Sequence, residues 1–322
     1  MKKRQILAIG LAMVAPWGMA ADAPAFPDKP IRLIVPFGPG GGGDIIGRTW
    51  AKYMSMEPGI NVVVENKAGA GGAIGTTAVA RAKADGYTLL LGTSTTQIIN
   101  PAVSPAPTYD GMADFALVDM ISTNPTCIIV NPKFPASNVK ELIALVQANP
   151  GKYAYGSAGP GTITNLTGEL FKFKAGKLAL QHAAYKGGGP AMADLIAGHI
   201  PIITPILSSS VLALHRAGKA KIIAVNSQTR LKAAPDIPTA MEQGLDDMRV
   251  EVFNAVFAPA GTPQAVMSML AAASQKVMTN PSFIKDLEKA GAELLSPADP
   301  KAYVMQEAAR WKDLIKAIGF RL

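Results

Sequence analysis

The sequence predicts an α/β fold in which strands and helices alternate along the chain. Short runs rich in Val, Ile and Leu recur, and most are followed by a segment with helical periodicity. This alternation is typical of parallel sheets with helices on both faces. The run Ile31–Val35, apolar at all but one position, fits a strand buried on both sides. A chain of 322 residues can bury a large core, in two domains or in one large domain.

The predicted elements follow one another with short connections. Strands are expected at 31–35, 60–65, 87–91, 126–131, 153–156, 200–206, 221–225 and 250–257. Helices are expected at about 43–56, 72–84, 137–148, 163–175, 188–198, 209–217, 263–279, 281–290 and 299–317. Thr262-Pro263 and Asn280-Pro281 each place a capping side chain before a proline, an arrangement typical of a helix N-terminus.

The chain contains no internal repeat and no low-complexity linker, so domain boundaries should lie where it crosses between lobes. We expect these crossings around 122–126 and 248–254. The first lobe is then discontinuous, formed by 21–125 plus 250–322, and the second lobe is the insert 126–249.

The first twenty residues predict export. Basic residues at 2–4 precede an apolar stretch at 6–14, and the small residues at 18–20 suit a signal peptidase. This is the pattern of a signal peptide, residues 1–20, cleaved after Ala20. The alternative, a membrane anchor, is disfavoured because the apolar stretch is too short to span a bilayer comfortably. We expect a periplasmic protein.

Charge and cysteine content restrict the partners. The formal net charge is +8, but the basic residues are scattered and do not alternate with aromatic residues in runs. We therefore expect no nucleic-acid partner. Cys127 is the single cysteine and cannot form an intrachain disulfide. Its apolar surroundings predict a buried core thiol rather than a nucleophile.

Two glycine-rich loops each join a predicted strand to a predicted helix. The first glycine loop is FGPGGGGD at 37–44, and the second glycine loop is NKAGAGGAIGT at 66–76. Ligands of open α/β sheets bind beyond the carboxyl ends of the strands, where glycine backbones and helix N-termini favour anions. We therefore favour an anion-binding role for the first loop over a flexible turn. Two such loops on adjacent strands would direct two helix N-termini at one crevice.

A dinucleotide site is the first alternative. The pattern Gly38-x-Gly40-x-x-Gly43 matches the dinucleotide fingerprint, and Glu65 follows 22 residues later at the end of the second strand. The export signal and the extra glycines count against it, and Pro39 removes one backbone donor. A P-loop is excluded because no Gly-Lys-Ser/Thr follows the glycines.

An exported hydrolase is the second alternative. The three histidines, His182, His199 and His215, lack metal-ligand spacing with Asp, Glu or Cys. The sequence also lacks the G-x-S-x-G motif of serine hydrolases. We therefore expect a binding protein that is not an enzyme and has no cofactor or metal.

Six segments resemble the receptor proteins of tripartite tricarboxylate transporters, the family also called Bug receptors. They are FPDKPIRLIVPFGPGGGGD (26–44), VVVENKAGAGGAIGT (62–76), ADGYTLLLGT (84–93), NPGKYAYGSAGPGT (149–162), YKGGGPAMADLIAG (185–198) and FAPAGTP (257–263). The resemblance covers essentially the whole mature chain. It implies a two-lobed periplasmic-binding-protein fold of type II, the Venus flytrap. It also implies a monomer that passes a small carboxylate to a membrane permease.

The resemblance also implies the ligand-binding residues. One carboxylate would lie between the two glycine loops, near Phe37, Gly40, Gly41, Gly71, Gly72 and Ala73. The distal part of the ligand would meet Ser157, Gly161 and Thr162, with Thr93, Ser94 and Thr95 along the side. Closure of the two lobes around the ligand would form the state that the permease recognises.

The sequence departs from the family pattern in the second lobe. Asn165 stands where family members often carry His, and Pro201 stands where they usually carry Asp. Loss of that Asp argues against an amino acid, and favours a di- or tricarboxylate or an aromatic carboxylate. If 200–206 faces the cleft, it would suit an aliphatic or aromatic body, with Thr204 and Ser208 as polar contacts. A buried strand followed by an ordinary helix cap is the equally open alternative.

Overall fold

The structure, a computed structural model, describes residues 26–321, and the predicted signal peptide lies outside them. The strands are β1 (Ile31–Val35), β2 (Val62–Asn66), β3 (Thr88–Thr93), β4 (Phe115–Pro125), β5 (Cys127–Val130), β6 (Ala154–Ser157), β7 (Gln181–Ala184), β8 (Ile202–Ile203), β9 (Lys221–Val225), β10 (Glu251–Pro259) and β11 (Glu293–Leu294). The helices are α1 (Gly42–Met54), α2 (Ala73–Ala80), α3 (Asn100–Val103), α4 (Val139–Gln147), α5 (Ile163–Lys174), α6 (Gly188–Ala197), α7 (Ser209–Arg216), α8 (Gln264–Met278), α9 (Pro281–Lys289) and α10 (Pro300–Ile318).

The strands form two sheets, each at the centre of one lobe. The sheet of lobe 1 has the strand order β11-β4-β10-β3-β1-β2, and the sheet of lobe 2 has the order β7-β6-β8-β5-β9. Helices pack on both sheets, and α10 contacts β4 in lobe 1 as well as α5 in lobe 2. None of these helices, which all lie within 26–321, is long and apolar enough to span a membrane. The predicted α/β, two-lobed architecture is confirmed.

The expectation of parallel sheets was correct for only part of each sheet. β1 runs parallel to β2 and β3, and β6 runs parallel to β7 and β8. By contrast, β10 is antiparallel to β3 and β4, and β5 is antiparallel to β8 and β9. The reversals arise at the crossings, because β4 continues almost directly into β5 while β10 returns beside β4.

Three residues join the crossing segments. The backbone N–H of Thr126 donates to the Val250 carbonyl at 2.8 Å, and the N–H of Asn226 donates to the Thr126 carbonyl at 2.8 Å. The side-chain amide of Asn226 also donates to the Thr126 hydroxyl at 2.9 Å. These bonds are buried, so the chain passes between the lobes through a small region that hydrogen bonds hold together.

Several predicted boundaries were wrong. The strand expected at 200–206 is reduced to β8, because Pro201 and Pro205 have no N–H to donate to a sheet. The strands β4, β7 and β11 were not predicted. Thr262 does not cap α8, since its hydroxyl donates to the Pro259 carbonyl at 2.8 Å. Asn280 does cap α9 as predicted, accepting from the N–H of Ser282.

The core of lobe 1 lies between its sheet and helices α1, α8 and α9. Trp50 is fully buried there, and its indole N–H donates to the Ser274 hydroxyl at 3.0 Å. A second apolar cluster continues from Leu90 in lobe 1 to Tyr155 in lobe 2. Cys127 is buried in lobe 2, as predicted, and burial raises the pKa of its thiol.

Candidate functional site

A cavity of about 540 Å³ lies between the two lobes. Lobe 1 contributes the first glycine loop, the end of β3 and one residue of β10. Lobe 2 contributes the loops that precede α5, α6 and α7 and the apolar chain after β8. Its size lies in the range of small-molecule sites, and its position between lobes is common for such sites.

Four helices begin at the wall of this cavity. α1 follows Gly41, α5 follows Thr162, α6 follows Gly187 and α7 follows Ser208, and all four preceding residues line the cavity. A helix N-terminus carries partial positive charge and backbone N–H groups without helical partners. The convergence of four such ends from both lobes makes the cavity attractive to an anion.

The four helix ends are of two kinds. The side chains of Thr162 and Ser208 cap their own helices, accepting from the N–H groups of Asn165 and Val211 respectively. α1 and α6 have no capping side chain, because glycine precedes each of them. The first N–H groups of α1 and α6 are therefore the ones best placed to donate to a ligand carboxylate.

Charged side chains contribute little inside the cavity. Among the described residues that line it, Lys186 is the only one with a formal charge, and its side chain is exposed. Asp44 is buried just behind the first glycine loop, accepting from the Gly40 N–H at 2.9 Å and from Arg48 at 3.0 Å. Burial alone would raise the pKa of Asp44, but the bonds from Arg48, Gly40 and Asn66 lower it, so the carboxylate stays charged and internally paired.

One wall of the cavity is apolar. Ile203, Pro205 and Ile206 face it from the segment around β8, and Val211 and Leu214 face it from α7. An anionic end beside an apolar wall suits a carboxylate attached to a hydrocarbon body.

Eight of the fifteen predicted binding residues line the cavity. They are Phe37, Gly40, Gly41, Thr93, Thr95, Ser157, Thr162 and Ser208. The remaining seven, Gly71, Gly72, Ala73, Ser94, Gly161, Asn165 and Thr204, are not among its lining residues.

The second glycine loop lies behind Phe37. A Cβ added to Gly72 would lie 3.3 Å from the Phe37 ring, and one added to Gly43 would lie 3.5 Å from it, so the ring lies between these two glycines. A Cβ added to Gly71 would lie 3.1 Å from the carbonyl oxygen of Pro160 in lobe 2. This loop therefore packs tightly against Phe37 and the opposite lobe.

The other residues outside the lining hold the walls in place. The Ser94 hydroxyl accepts from the Phe253 N–H at 3.0 Å, and the Thr204 hydroxyl donates to the Thr164 carbonyl at 2.7 Å. The Asn165 side chain accepts from the Gly161 N–H at 3.2 Å and donates to a tyrosine hydroxyl at 2.8 Å.

Sequence reasoning missed several lining residues. Lys186 lies in the segment 185–198 that carries the family resemblance, and the buried Asn254 lies in the strand expected at 250–257, but the sequence singles out neither as a ligand contact. Val211 and Leu214 look like ordinary core positions of an amphipathic helix. Only their position in the fold reveals Val211 and Leu214, whereas the three glycines that follow Lys186 mark the loop before α6 in the sequence itself.

The acidic residue required by the dinucleotide alternative, Glu65, already has a partner in the protein. Glu65 is paired with Arg32, whose Nη2 lies 2.6 Å from the Glu65 carboxylate. Both side chains are about half exposed, Arg32 on β1 and Glu65 on the edge strand β2, with exposed fractions of 53% and 44%. Within 26–321, His, Cys, Asp and Glu side chains do not form groups of three that could hold a metal ion.

The model of the tripartite tricarboxylate transporter family receptor matches residues 46–320. The chain belongs to this family. The resemblance found in the sequence is therefore confirmed, and so is the expectation that the protein is a solute-binding protein and not an enzyme.

Solved structures of receptors are similar over nearly the whole chain. The periplasmic binding protein BugD is 34% identical, with 92% of this chain and 99% of BugD covered and a TM-score of 0.86. Rpa4515 of R. palustris, solved with adipate, is 30% identical, with 91% and 98% covered and a TM-score of 0.87. MatC of Rhodopseudomonas palustris, solved with bound malate, is 28% identical, with 90% and 100% covered and a TM-score of 0.84. The chain is thus a two-lobed periplasmic solute-binding receptor of this family.

Proposed function

We propose that the receptor binds a small carboxylate with an aliphatic or aromatic body in the cavity between its lobes. The observation that carries this proposal is the convergence of four helix N-termini on a cavity with one apolar wall. Two similar receptors were solved with the dicarboxylates adipate and malate. We expect a di- or tricarboxylate or an aromatic carboxylate.

The uncapped starts of α1 and α6 would hold the carboxylate groups. α1 belongs to lobe 1 and α6 to lobe 2, so a ligand with two anionic groups could accept from both lobes at once. Ser157 and Thr162 would add hydroxyl contacts from lobe 2, and Thr93 and Thr95 would line the side. The second glycine loop would support this site through Phe37.

Amino acids are disfavoured as ligands. The described lining residues include neither Asp nor Glu, so an α-ammonium group would be buried without a carboxylate partner. Pro201, where family members usually carry Asp, removes one such partner from this region. A carboxylate with a hydrocarbon body brings no ammonium group, and the helix N-termini stabilise its negative charge.

The bound ligand would favour lobe closure. Thr95 of lobe 1 already accepts from the Ile163 N–H of lobe 2 at 3.1 Å, next to the cavity, so the two lobes are in contact. Bending would occur at the crossing region that contains Thr126, Asn226 and Val250, and this region would separate lobe 1 (21–125 plus 250–322) from lobe 2 (126–249). A ligand shifts this equilibrium only through contacts that are stronger in the closed state. The closed monomer would then deliver the carboxylate to the membrane permease of a tripartite transporter.

A thermal-shift screen tests this function. The mature protein would be heated with a panel of mono-, di- and tricarboxylates, aromatic acids, amino acids and NAD. A ligand that binds only the folded state raises the melting temperature, by an amount that grows with its concentration above the dissociation constant. We expect a rise with one class of carboxylate and none with amino acids or NAD. A rise with NAD alone, or with amino acids alone, would contradict the proposal.

A further inference from the structure

A histidine outside the cavity contacts one of its hydroxyl groups. The Ser157 hydroxyl lines the cavity, and its Oγ lies 2.7 Å from Nε2 of His182 on the neighbouring strand β7. His182 is half-buried and does not itself line the cavity. The imidazole can therefore influence a bound ligand only through Ser157 and through its charge.

The other contacts of Ser157 indicate where its proton lies. The Gly159 N–H donates to Ser157 Oγ at 3.2 Å, and the only other acceptor for the hydroxyl proton among the described protein atoms is the Gly159 carbonyl, also at 3.2 Å. The shorter distance of 2.7 Å to His182 favours donation to Nε2 when the ring is neutral. In that state the Ser157 hydroxyl presents only lone pairs to the cavity, which repel a carboxylate.

Charged and titratable groups surround His182 on two sides. The ring of Tyr155 on β6 stacks on the imidazole, with centroids 5.0 Å apart and an interplanar angle of 25°. Tyr155 donates to Glu169 on α5 at 2.6 Å, and Lys172 on α5 pairs with Glu169 at 2.8 Å. Burial lowers the pKa of His182 below its ordinary value, with Glu169 acting in the opposite direction and Lys172 in the same direction. The ring is therefore neutral at neutral pH.

We propose that His182 is a positioning residue that controls, by its protonation, whether Ser157 donates a hydrogen bond to the bound carboxylate. A protonated ring carries a proton on Nε2 and donates to Ser157 Oγ. The hydroxyl proton then turns away from His182 and can point to the ligand. The inference rests on the proposed function and adds a pH dependence and a second residue to the same site.

The sign of the effect follows from linkage. A carboxylate favours the protonated ring through both the redirected hydroxyl and the added positive charge, so ligand binding raises the pKa of His182. Affinity is then high below the pKa of the ligand-free form and falls as pH rises through the pKa of the bound form. A rise of one unit on binding makes the affinity about tenfold higher in the acidic limit than in the basic limit.

The first test uses the ligand-free protein. Nitrogen NMR of the mature receptor with labelled histidine distinguishes a neutral ring protonated on Nδ1 from one protonated on Nε2. We expect His182 to carry its proton on Nδ1 at about pH 8, with the Nε2 signal shifted in Ser157→Ala because the donor is lost. A neutral ring protonated on Nε2 would overturn the inference whatever the ligand is.

The second test measures affinity against pH by calorimetry. Adipate is the first probe, and the panel member with the largest rise in melting temperature replaces it if adipate does not bind. As the pH is lowered from about pH 8 to below the ligand-free pKa of His182, the affinity of the wild type should rise relative to that of His182→Gln, by about tenfold for a one-unit rise of that pKa on binding. This ratio removes the titration of the ligand itself. His199→Gln, at an exposed histidine with 72% of its side chain accessible, should behave as the wild type.

The outcomes separate the two proposals. Binding in His182→Gln with the same pH profile as the wild type would overturn the role of His182 and leave the carboxylate receptor standing. Uptake of protons on binding, seen as a buffer-dependent enthalpy in the wild type but not in His182→Gln, would support it. If no carboxylate binds at any pH, the proposed function fails and this inference fails with it.

Discussion

The two glycine loops have the same sequence signature and different roles in the structure. In the first loop, a Cβ added to Gly38 or Gly40 would meet no atom within 4 Å, and at Gly41 the nearest atom would be 3.6 Å away. In the second loop, a Cβ at Gly72 would lie 2.8 Å from Thr96, and one at Gly75 would lie 2.6 Å from the Lys67 carbonyl. The first loop leaves free space beside Gly38, Gly40 and Gly41, although a Cβ at Gly42 would lie 3.1 Å from Ile206 of the apolar wall. The second loop leaves no such space at Gly72 or Gly75.

This difference separates two reasons for glycine in a strand-to-helix loop. Glycine can leave room for a ligand beside the backbone, or it can allow two protein segments to approach closely. Gly72 also has φ of +98°, a conformation that side chains rarely adopt. We infer that the first loop binds and that the second loop supports it through Phe37.

Of the substitutions considered, Gly41→Asp is expected to have the largest effect, a loss of affinity for the ligand. Gly41 has φ of −78° and ψ of 165°, so aspartate fits there, and it is a favourable N-cap residue. Its carboxylate would accept hydrogen bonds from the free N–H groups of α1 and would repel a ligand anion. We expect the affinity for the carboxylate to fall at least about 100-fold, or about 3 kcal/mol, with the melting temperature of the ligand-free protein unchanged or raised.

Gly41→Asn is the matched control for this change. Asparagine caps the helix with a similar shape but adds no charge, so it should cost less affinity than aspartate. Equal affinities of Gly41→Asp and the wild type, measured by calorimetry, would show that the first loop is not the anion site.

Gly75→Ala tests the packing role of the second loop. The new Cβ would lie 2.6 Å from the Lys67 carbonyl oxygen and 2.9 Å from the Pro36 Cα, which are backbone atoms that cannot move independently. We expect the free energy of unfolding to fall by about 1–3 kcal/mol, although alanine is the better helix former. Gly38→Ala should change it by less than about 0.5 kcal/mol. Urea denaturation would measure both, and a neutral Gly75→Ala would contradict the tight packing.

Asp44→Asn tests how the two loops are joined. Asp44 accepts from Gly40 of the first loop and, at 2.7 Å, from Asn66 at the start of the second. An asparagine has one acceptor oxygen in place of two, so we expect a loss of about 1–2 kcal/mol at pH 7.

The same substitution should change the pH dependence of stability. Because the pKa of Asp44 is lowered in the folded state, its stabilisation is present above the ordinary value of 3.8 and is lost as pH falls through the folded-state pKa. The difference between wild type and Asp44→Asn should therefore decrease in acid, as measured by urea denaturation across that range. A difference that stays constant down to about pH 2 would show that the carboxylate charge is not involved.

Lys186→Met is expected to have the smallest effect, a slight weakening of ligand binding. If helix N-termini hold the ligand, the exposed lysine contributes only a screened attraction, and its loss should weaken binding by about 0.5–1 kcal/mol at low salt. The effect should vanish at about 1 M salt. A loss of about 100-fold that persists at high salt would instead make Lys186 the main anion ligand.

The sequence predicted most of the fold, since strand and helix patterns are local. The bounds of β1 and β9 match the prediction to the residue, because each is a run of five residues with a single charged residue among apolar ones. β4 was missed because Ser122 and Asn124 interrupt its apolar pattern, and their partners are distant in the sequence: Asn254 on β10 donates to both side chains, and the Asn124 amide donates to the Gly291 carbonyl. A bond across 130 residues leaves no local signal.

The candidate site was predicted only in part for the same reason. The glycine loops carry local signals, which is why Gly40 and Gly41 were found. Lys186 and Asn254 reach the cavity from different lobes, and only the crossing of the chain between the sheets brings them together. Local patterns also could not distinguish the first glycine loop from the second, because the difference lies in what packs against each loop.

The burial of Cys127 has a practical consequence. The chain has no other cysteine, and this thiol is fully buried and shifted away from its reactive thiolate form. A cysteine introduced at an exposed position on the rim of the cavity would therefore be the one site that reacts with a maleimide dye. Attached beside Lys186, such a dye would change its emission as the lobes close, and the receptor would become a fluorescent sensor that reports its own ligand.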